Sequence, residues 1–270
     1  MISTFKRKIT GLSALGILGI KLQLDYVWDI WLEFLLQLIN VAVFIFFWRA
    51  VYGDTQTIAG MSLQQTLIYI VMAQILAGLL ESDLIFEFGY SLREGALATE
   101  LLRPVDFQLQ HYIRQLSRFP LFLVQKVPLL LLTCLLFNIH LPTDPLVWGA
   151  FFLSVMLGYI LTFFFEWMFA CLAFCTTEIR GLFQMRAGLA RFMSGSLIPL
   201  VMMPGWLNAI ARGLPFAQAV SAPVSLLSGS LPLDQAPRIW LVQGLWLIGL
   251  AILSRLVFHV TLRRVTIQGG

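Results

Sequence analysis

Charge is what this sequence has least of. Asp, Glu, Lys and Arg make up 12% of its 270 residues, about half the share found in a soluble globular chain. With a mean hydropathy of +0.85, that deficit excludes an ordinary water-soluble domain, because most segments have no polar face to turn toward water. Cysteine is scarce as well. Cys134, Cys171 and Cys175 lie scattered in apolar stretches, which supports neither a disulfide framework nor a paired thiol motif. The three histidines, His111, His140 and His259, have no Cys or carboxylate at metal-ligand spacing, which argues against a metal site. No Gly-x-x-x-x-Gly-Lys loop occurs, so no phosphate cradle of that type is at hand and any ATP dependence points to another polypeptide. The net charge of +4 does not imply nucleic acid, because the basic residues lie between apolar runs.

Long apolar runs are what the sequence does have. Six are extended enough to cross a bilayer, which takes about 20 residues at about 1.5 Å each: 28–48, 63–80, 119–137, 148–174, 192–203 with the residues upstream of it, and 239–258. The expected fold class is therefore all-α, a polytopic membrane protein forming a single transmembrane domain over 1–270. Fifteen of the 18 Lys and Arg residues fall on the side that holds both termini, and only Arg49, Arg212 and Arg238 fall on the other. Positively charged loops stay in the cytoplasm, so both termini are expected there. Lys6, Arg7 and Lys8 precede an apolar run too short to span, so 1–24 is expected to lie on the membrane surface as an interfacial helix.

Two connections are long enough to carry function. On the cytoplasmic side, 81–118 reads as helical, with Phe86, Tyr90, Leu97 and Leu101 at near-helical spacing among Arg93, Glu94, Glu100 and Arg103, until Pro104 ends or kinks the helix. On the outer side, 204–238 is too apolar for a free loop, yet Pro204, Pro215, Pro223 and Pro232 forbid a long helix. Short re-entrant or interfacial helices fit it best, with Trp206, Trp240 and Trp246 suited to an outer interface. Before it, Ser194-Gly195-Ser196 and Pro199 interrupt the fifth span, either as a gate hinge or as a static kink.

Polar residues inside the spans are few enough to examine singly. Asp25, Asp29, Glu33 and Gln37 repeat every four residues on one face of the first span, a face that points into the bundle or a wet vestibule unless Asp25 and Asp29 are interfacial. Lys126, Glu166 and Arg255 are expected in the same half of the membrane. Glu33, Lys126, Glu166 and Arg255 should include at least one ion pair, since pairing lowers the cost of insertion.

The stretch Arg93-Glu-Gly-Ala-Leu-Ala-Thr-Glu-Leu-Leu-Arg-Pro-Val-Asp106 resembles the cytoplasmic segment of ATP-binding-cassette type-2 permeases, especially short six-span subunits without a fused ATPase. Ser194-Gly-Ser-Leu-Ile-Pro-Leu-Val-Met-Met-Pro-Gly-Trp-Leu207, followed by Leu214-Pro-Phe216, is similar to their broken fifth span and the segment beyond it. Relatives often carry Tyr-Arg before the first span; here Val27 follows Tyr26, so no role is carried over to that position. The resemblance implies the permease subunit of a bacterial inner-membrane exporter. Its partners would be a dimer of cytoplasmic ATPase subunits that bind ATP and Mg, and a second permease, alike or different. It implies a coupling helix docked on the ATPase, here Tyr90, Arg93, Glu94, Leu97, Glu100, Leu101, Arg103 and Pro104, and an outer cap built from Pro199, Pro204, Trp206, Pro215 and Phe216. The competing readings are a secondary transporter or channel, which would show midplane acids and internal repeats, and a membrane-embedded lipid-modifying enzyme, for which Glu81, Asp83 and Glu87 are the nearest approach to a cluster.

Overall fold

The computed structural model describes residues 27–80, 82–176 and 178–263; the expected interfacial helix 1–24, and Asp25 beyond it, lie outside them. The described residues form eleven α-helices and one short hairpin. In chain order these are α1 (Val27–Tyr52), the strands β1 (Thr57–Ile58) and β2 (Met61–Ser62), α2 (Leu63–Ala77), α3 (Leu84–Arg93), α4 (Ala96–Leu101), α5 (Phe107–Phe137), α6 (Pro145–Leu172), α7 (Ile179–Met193), α8 (Gly205–Gly213), α9 (Pro215–Ala219), α10 (Ser221–Leu227) and α11 (Ala236–Leu262). Among the described residues, five helical stretches are long and apolar enough to cross a membrane: α1, α2 with the residues after it, α5, α6, and α11 with the turn before it.

Local chemistry fixes where the helices start. Ser62 accepts from the Gln65 amide at 3.3 Å while Gln65 accepts from the Ser62 amide at 3.0 Å, a reciprocal cap that satisfies two orphan donors of α2. Asp106 caps α5 through the Leu109 amide at 2.8 Å, and Asp144 caps α6 through the Leu146 amide at 2.9 Å, with Pro145 in the first turn. These two aspartates mark opposite ends of the bundle. α2 and α6 form its centre, whereas α1, α5 and α11 turn rows of Leu, Ile, Val and Phe outward, including Leu36, Phe46, Val124, Leu135, Ile248 and Ile252. α11 runs beside α6 in the same direction: Ala236 joins Ala150 near the Asp144 end, and Phe258 meets Trp167 near the Asp106 end at 5.5 Å between rings.

The fifth expected span needs correcting. The stretch 192–203 is apolar, but α7 stops at Met193, and only a turn and the 3-10 helix Leu200–Met202 follow before α8. Ser194 and Ser196 both donate to the Arg191 carbonyl, at 3.1 and 2.9 Å, Gly195 takes φ +78°, and Pro199 has no amide to continue the ladder. The chain nevertheless travels the length of the bundle in pieces. Ile179 packs against Gly89 and Arg186 reaches Glu166, whereas Leu226 clusters with Ala150 and Ala236 and the Gly229 carbonyl accepts from Gln65 at 3.4 Å.

A Cβ on Gly195 would lie 2.7 Å from the Tyr69 hydroxyl in a backbone region that L residues avoid. Gly195→Ala is expected to cost about 1–3 kcal/mol. Gly244→Ala, where a Cβ meets nothing within 4 Å, should leave stability unchanged or slightly raised. Thermal unfolding of the detergent-purified variants, followed by tryptophan fluorescence, tests the contrast.

Candidate functional site

Glu33 and Gln37 stand one turn apart on α1 and face Lys126 of α5. The Lys126 ammonium donates to Glu33 Oε1 at 3.0 Å and to Gln37 Oε1, and lies 6.0 Å from the centre of the Phe122 ring. Gln37 in turn donates to the Gln74 carbonyl of α2 at 3.4 Å, and Gln74 donates to the Ser196 carbonyl at 2.8 Å. One polar chain therefore ties α1, α2, α5 and the break after α7 together. The pair is lopsided: the Lys126 side chain is 6% exposed, that of Glu33 60%. Glu33 opens onto a cavity of about 1320 Å³ between α1, α2 and α5, walled by Trp31, Phe34, Phe119 and Phe122 as well as by polar groups. Asp29 lies in the first turn of α1, and its side chain is outside the described residues.

The other two intramembrane charges go elsewhere. Glu166 of α6 pairs with Arg186 of α7 at 2.8 Å, both side chains 1% exposed. Arg186 also donates to the Leu80 carbonyl and, at 3.3 Å, to the Ser82 carbonyl. Those carbonyls would otherwise be orphans at the end of α2. Sequence reasoning counted Arg186 only as a loop cation; the usable signal was its place with Ile179 and Ala190, at i, i+7 and i+11, on the buried face of α7. Arg255 is not in the interior network. It forms an exposed two-pronged pair with Asp106, at 2.6 and 3.0 Å, and this hydrogen bond holds the Asp106 carboxyl below its ordinary value.

The segment read as one helix to Pro104 is two. Glu94 and Gly95, the latter at φ +72°, turn the chain between α3 and α4, because only glycine adopts that backbone cheaply. Phe88 anchors the hairpin, stacking on Phe174 at 5.1 Å and meeting Trp167 edge-on at 5.0 Å and Phe107 at 5.5 Å. Leu97, expected among the partner contacts, is 3% exposed and belongs to this cluster; its spacing from Phe86 and Tyr90 presumed a continuous helix. Tyr90, Arg93, Glu94, Leu101, Arg103 and Pro104 are exposed, and Glu100 is half-buried. Leu102, which sequence reasoning passed over, is 83% exposed. Adjacent leucines at a helix end cannot both face inward, and that was the available clue.

Beyond α7, Pro199 is buried and Pro204 exposed, each heading a short helical turn. Trp206 stands on the open face of α8, while Pro215 begins α9 and is buried. Phe216 meets the Phe165 ring at 4.3 Å, deep beside α6. Gln243 of α11 then donates to the Ser154 hydroxyl and the Gln218 carbonyl, both at 2.8 Å, giving a backbone carbonyl left over from the broken helices a partner.

Arg186→Met, which strands the Glu166 carboxylate, is expected to destabilise by about 3–5 kcal/mol, and adding Glu166→Gln should recover much of that loss; thermal unfolding of single and double variants reads the difference. The exposed Asp106 and Arg255 pair should contribute only about 0.2–1 kcal/mol. Because the folded carboxyl titrates below its unfolded value of about 3.9, that contribution is full above pH ~4 and is lost as pH falls through the folded value. Asp106→Asn keeps the helix cap, so its stability gap from the parent should persist at neutral pH and close in strong acid, as pH-dependent melts would show.

A family model described as an ABC-2 family transporter protein matches residues 38–269. No curated protein matches the chain. The matched stretch takes in the α2 and α5 walls of the cavity, the α3–α4 hairpin and the broken segment through α10. Permeases of this family associate with an ABC ATPase component. With five apolar helices fit to cross a membrane and a family match over most of its length, the chain belongs to the ABC-2 transporter family as a multi-pass membrane component.

Proposed function

We propose that the chain is the membrane-spanning permease subunit of an ATP-driven exporter whose ATPase is a separate polypeptide. The observation that carries this reading is the α3–α4 hairpin: a rigidly anchored helical arm whose outward face offers Tyr90, 55% exposed, and Leu102, 83% exposed, beside Arg93, Glu94 and Arg103. An apolar tip ringed by charges is what a helix docked in a partner's groove needs, and it has no use in lipid or in water alone.

Arg93, Arg103, Arg114, Arg118, Arg180 and Arg255 lie at the Asp106 end or in the loops joined to it, against Arg49 and Arg238 at the Asp144 end. That bias supports a cytoplasmic hairpin end by the positive-inside rule, and the reading adds both termini on that side and a bacterial inner membrane. ATP and Mg are assigned to a dimer of partner ATPases, and a second permease, alike or similar, completes the pathway. The outward rows on α1, α5 and α11 supply the faces for lipid and for that second permease. Closure of the ATPases would move the docked hairpins as rigid bodies and alternate access, with the segment 204–238 capping the outer exit and Pro199 at its hinge.

Tyr90→Ala combined with Leu102→Asp alters only exposed positions. It should reduce the ATPase recovered with the permease after gentle detergent extraction by more than about tenfold, the scale of losing an interface hot spot, with the permease itself eluting unchanged. Undiminished ATPase recovery and transport in this variant would sink the reading.

A further inference from the structure

The lopsided Lys126 and Glu33 pair has a chemistry that the exporter reading leaves unused. A buried ammonium stripped of its counter-charge costs several kcal/mol, so Lys126 keeps a negative partner whatever else happens. Glu33 is under no such constraint. Its side chain is 60% exposed, one of its oxygens makes the bond to Lys126, and it can swing into the cavity at little cost. The cavity walls also carry Arg118, whose guanidinium reaches Glu87 at 3.5 Å and whose side chain is 37% exposed, so a second cation stands near an entering anion. Lys126 and Arg118 stand eight residues apart on α5, about 12 Å at helical rise, a span that a headgroup and its linkage can bridge.

Size and wall chemistry narrow the ligand further. The volume of about 1320 Å³ exceeds the usual range for a drug-sized ligand, roughly 300–1,000 Å³. The six aromatic rings, Phe44 and Tyr159 included, and the outward leucines and valines of α1 and α5, among them Leu36 and Val124, continue the cavity toward the hydrocarbon phase. We infer that this cavity binds an amphiphile with an anionic headgroup, a phosphate or a carboxylate, whose head replaces the Glu33 carboxylate on Lys126 while its tail runs out between α1 and α5. Glu33 is then a resident stand-in for the ligand. The exchange swaps one negative charge for another and leaves the Gln37 hydrogen bond in place, so loading and release are near balanced, as a transported ligand requires. This assignment rests on the exporter reading for its purpose but not for its geometry.

Native mass spectrometry of the detergent-purified 270-residue chain, offered phosphatidylglycerol, phosphatidylcholine or a lipid with a trimethylammonium head, tests it. The chain should retain phosphatidylglycerol about tenfold over either other lipid, the scale of one charge-assisted hydrogen bond. Lys126→Met should abolish the preference, Lys126→Arg should keep it, and Glu33→Gln should strengthen it by removing the competitor. A preference that survives Lys126→Met, a Glu33→Gln variant that binds phosphatidylglycerol less well, or a chain that favours the cationic lipid would overturn the inference. So would displacement of the lipid by millimolar inorganic phosphate, the mark of a free-anion site. ATPase recovery is read separately: lost lipid preference with normal ATPase recovery refutes only this assignment, and the reverse pattern refutes only the exporter reading.

Discussion

A polar group taken out of water costs free energy unless it finds a partner, and in this molecule several of the buried ones tie one helix to another. Lys126 joins α5 to α1, Gln74 joins α2 to the break after α7, Arg186 joins α7 to α6 and to the end of α2, and Gln243 joins α11 to α6 and α9. Apolar packing alone cannot choose among the ways of stacking such helices, since lipid tails are as good a neighbour for leucine as another leucine. Hydrogen-bonded charges can choose, because a wrong register leaves them unpaired. The break after α7 obeys the same rule: its freed backbone carbonyls are met by its own Ser194 and Ser196 and by Gln74 and Gln243 from neighbouring helices.

The two ion pairs of the interior differ in kind. Glu166 and Arg186 are both shut away and share their surroundings with the Leu80 and Ser82 carbonyls, so the guanidinium fork is committed on several sides. Lys126 shares its ammonium with a carboxylate that looks outward. The first arrangement resists change, and the second invites it. That contrast locates stability near the root of the hairpin and adaptability in the cavity.

Long apolar runs were legible from residue order, because they are local: the five stretches fit to span and the proline-broken stretch after residue 203 follow from composition and spacing. The interruption at Gly195 and Pro199 was legible as well, but not its extent, because hydropathy does not register how much of a hydrogen-bond ladder is lost, and only a 3-10 turn follows before Gly205. Leu97 was misassigned for a similar reason, since the turn at Gly95 shifts the phase of everything after it. Partner choice among charges was only half legible. Glu33, Gln37 and Lys126 share a depth that residue counting reveals, whereas Glu166 finds Arg186 because the chain turns back after α6, beginning at 173–175, which no periodicity encodes.

The approach of α3 to α7 is close enough to matter mechanically. A methyl group added at Gly89 would sit 2.1 Å from the Ile179 side chain, so that side chain fills the notch the glycine leaves, and densely packed elements transmit displacement instead of absorbing it. Arg186 fastens α7 to the Leu80 and Ser82 carbonyls that lead into α3. A pull on α3 would therefore be felt at the start of α7 before it reached the bend beside Tyr69 where α7 ends.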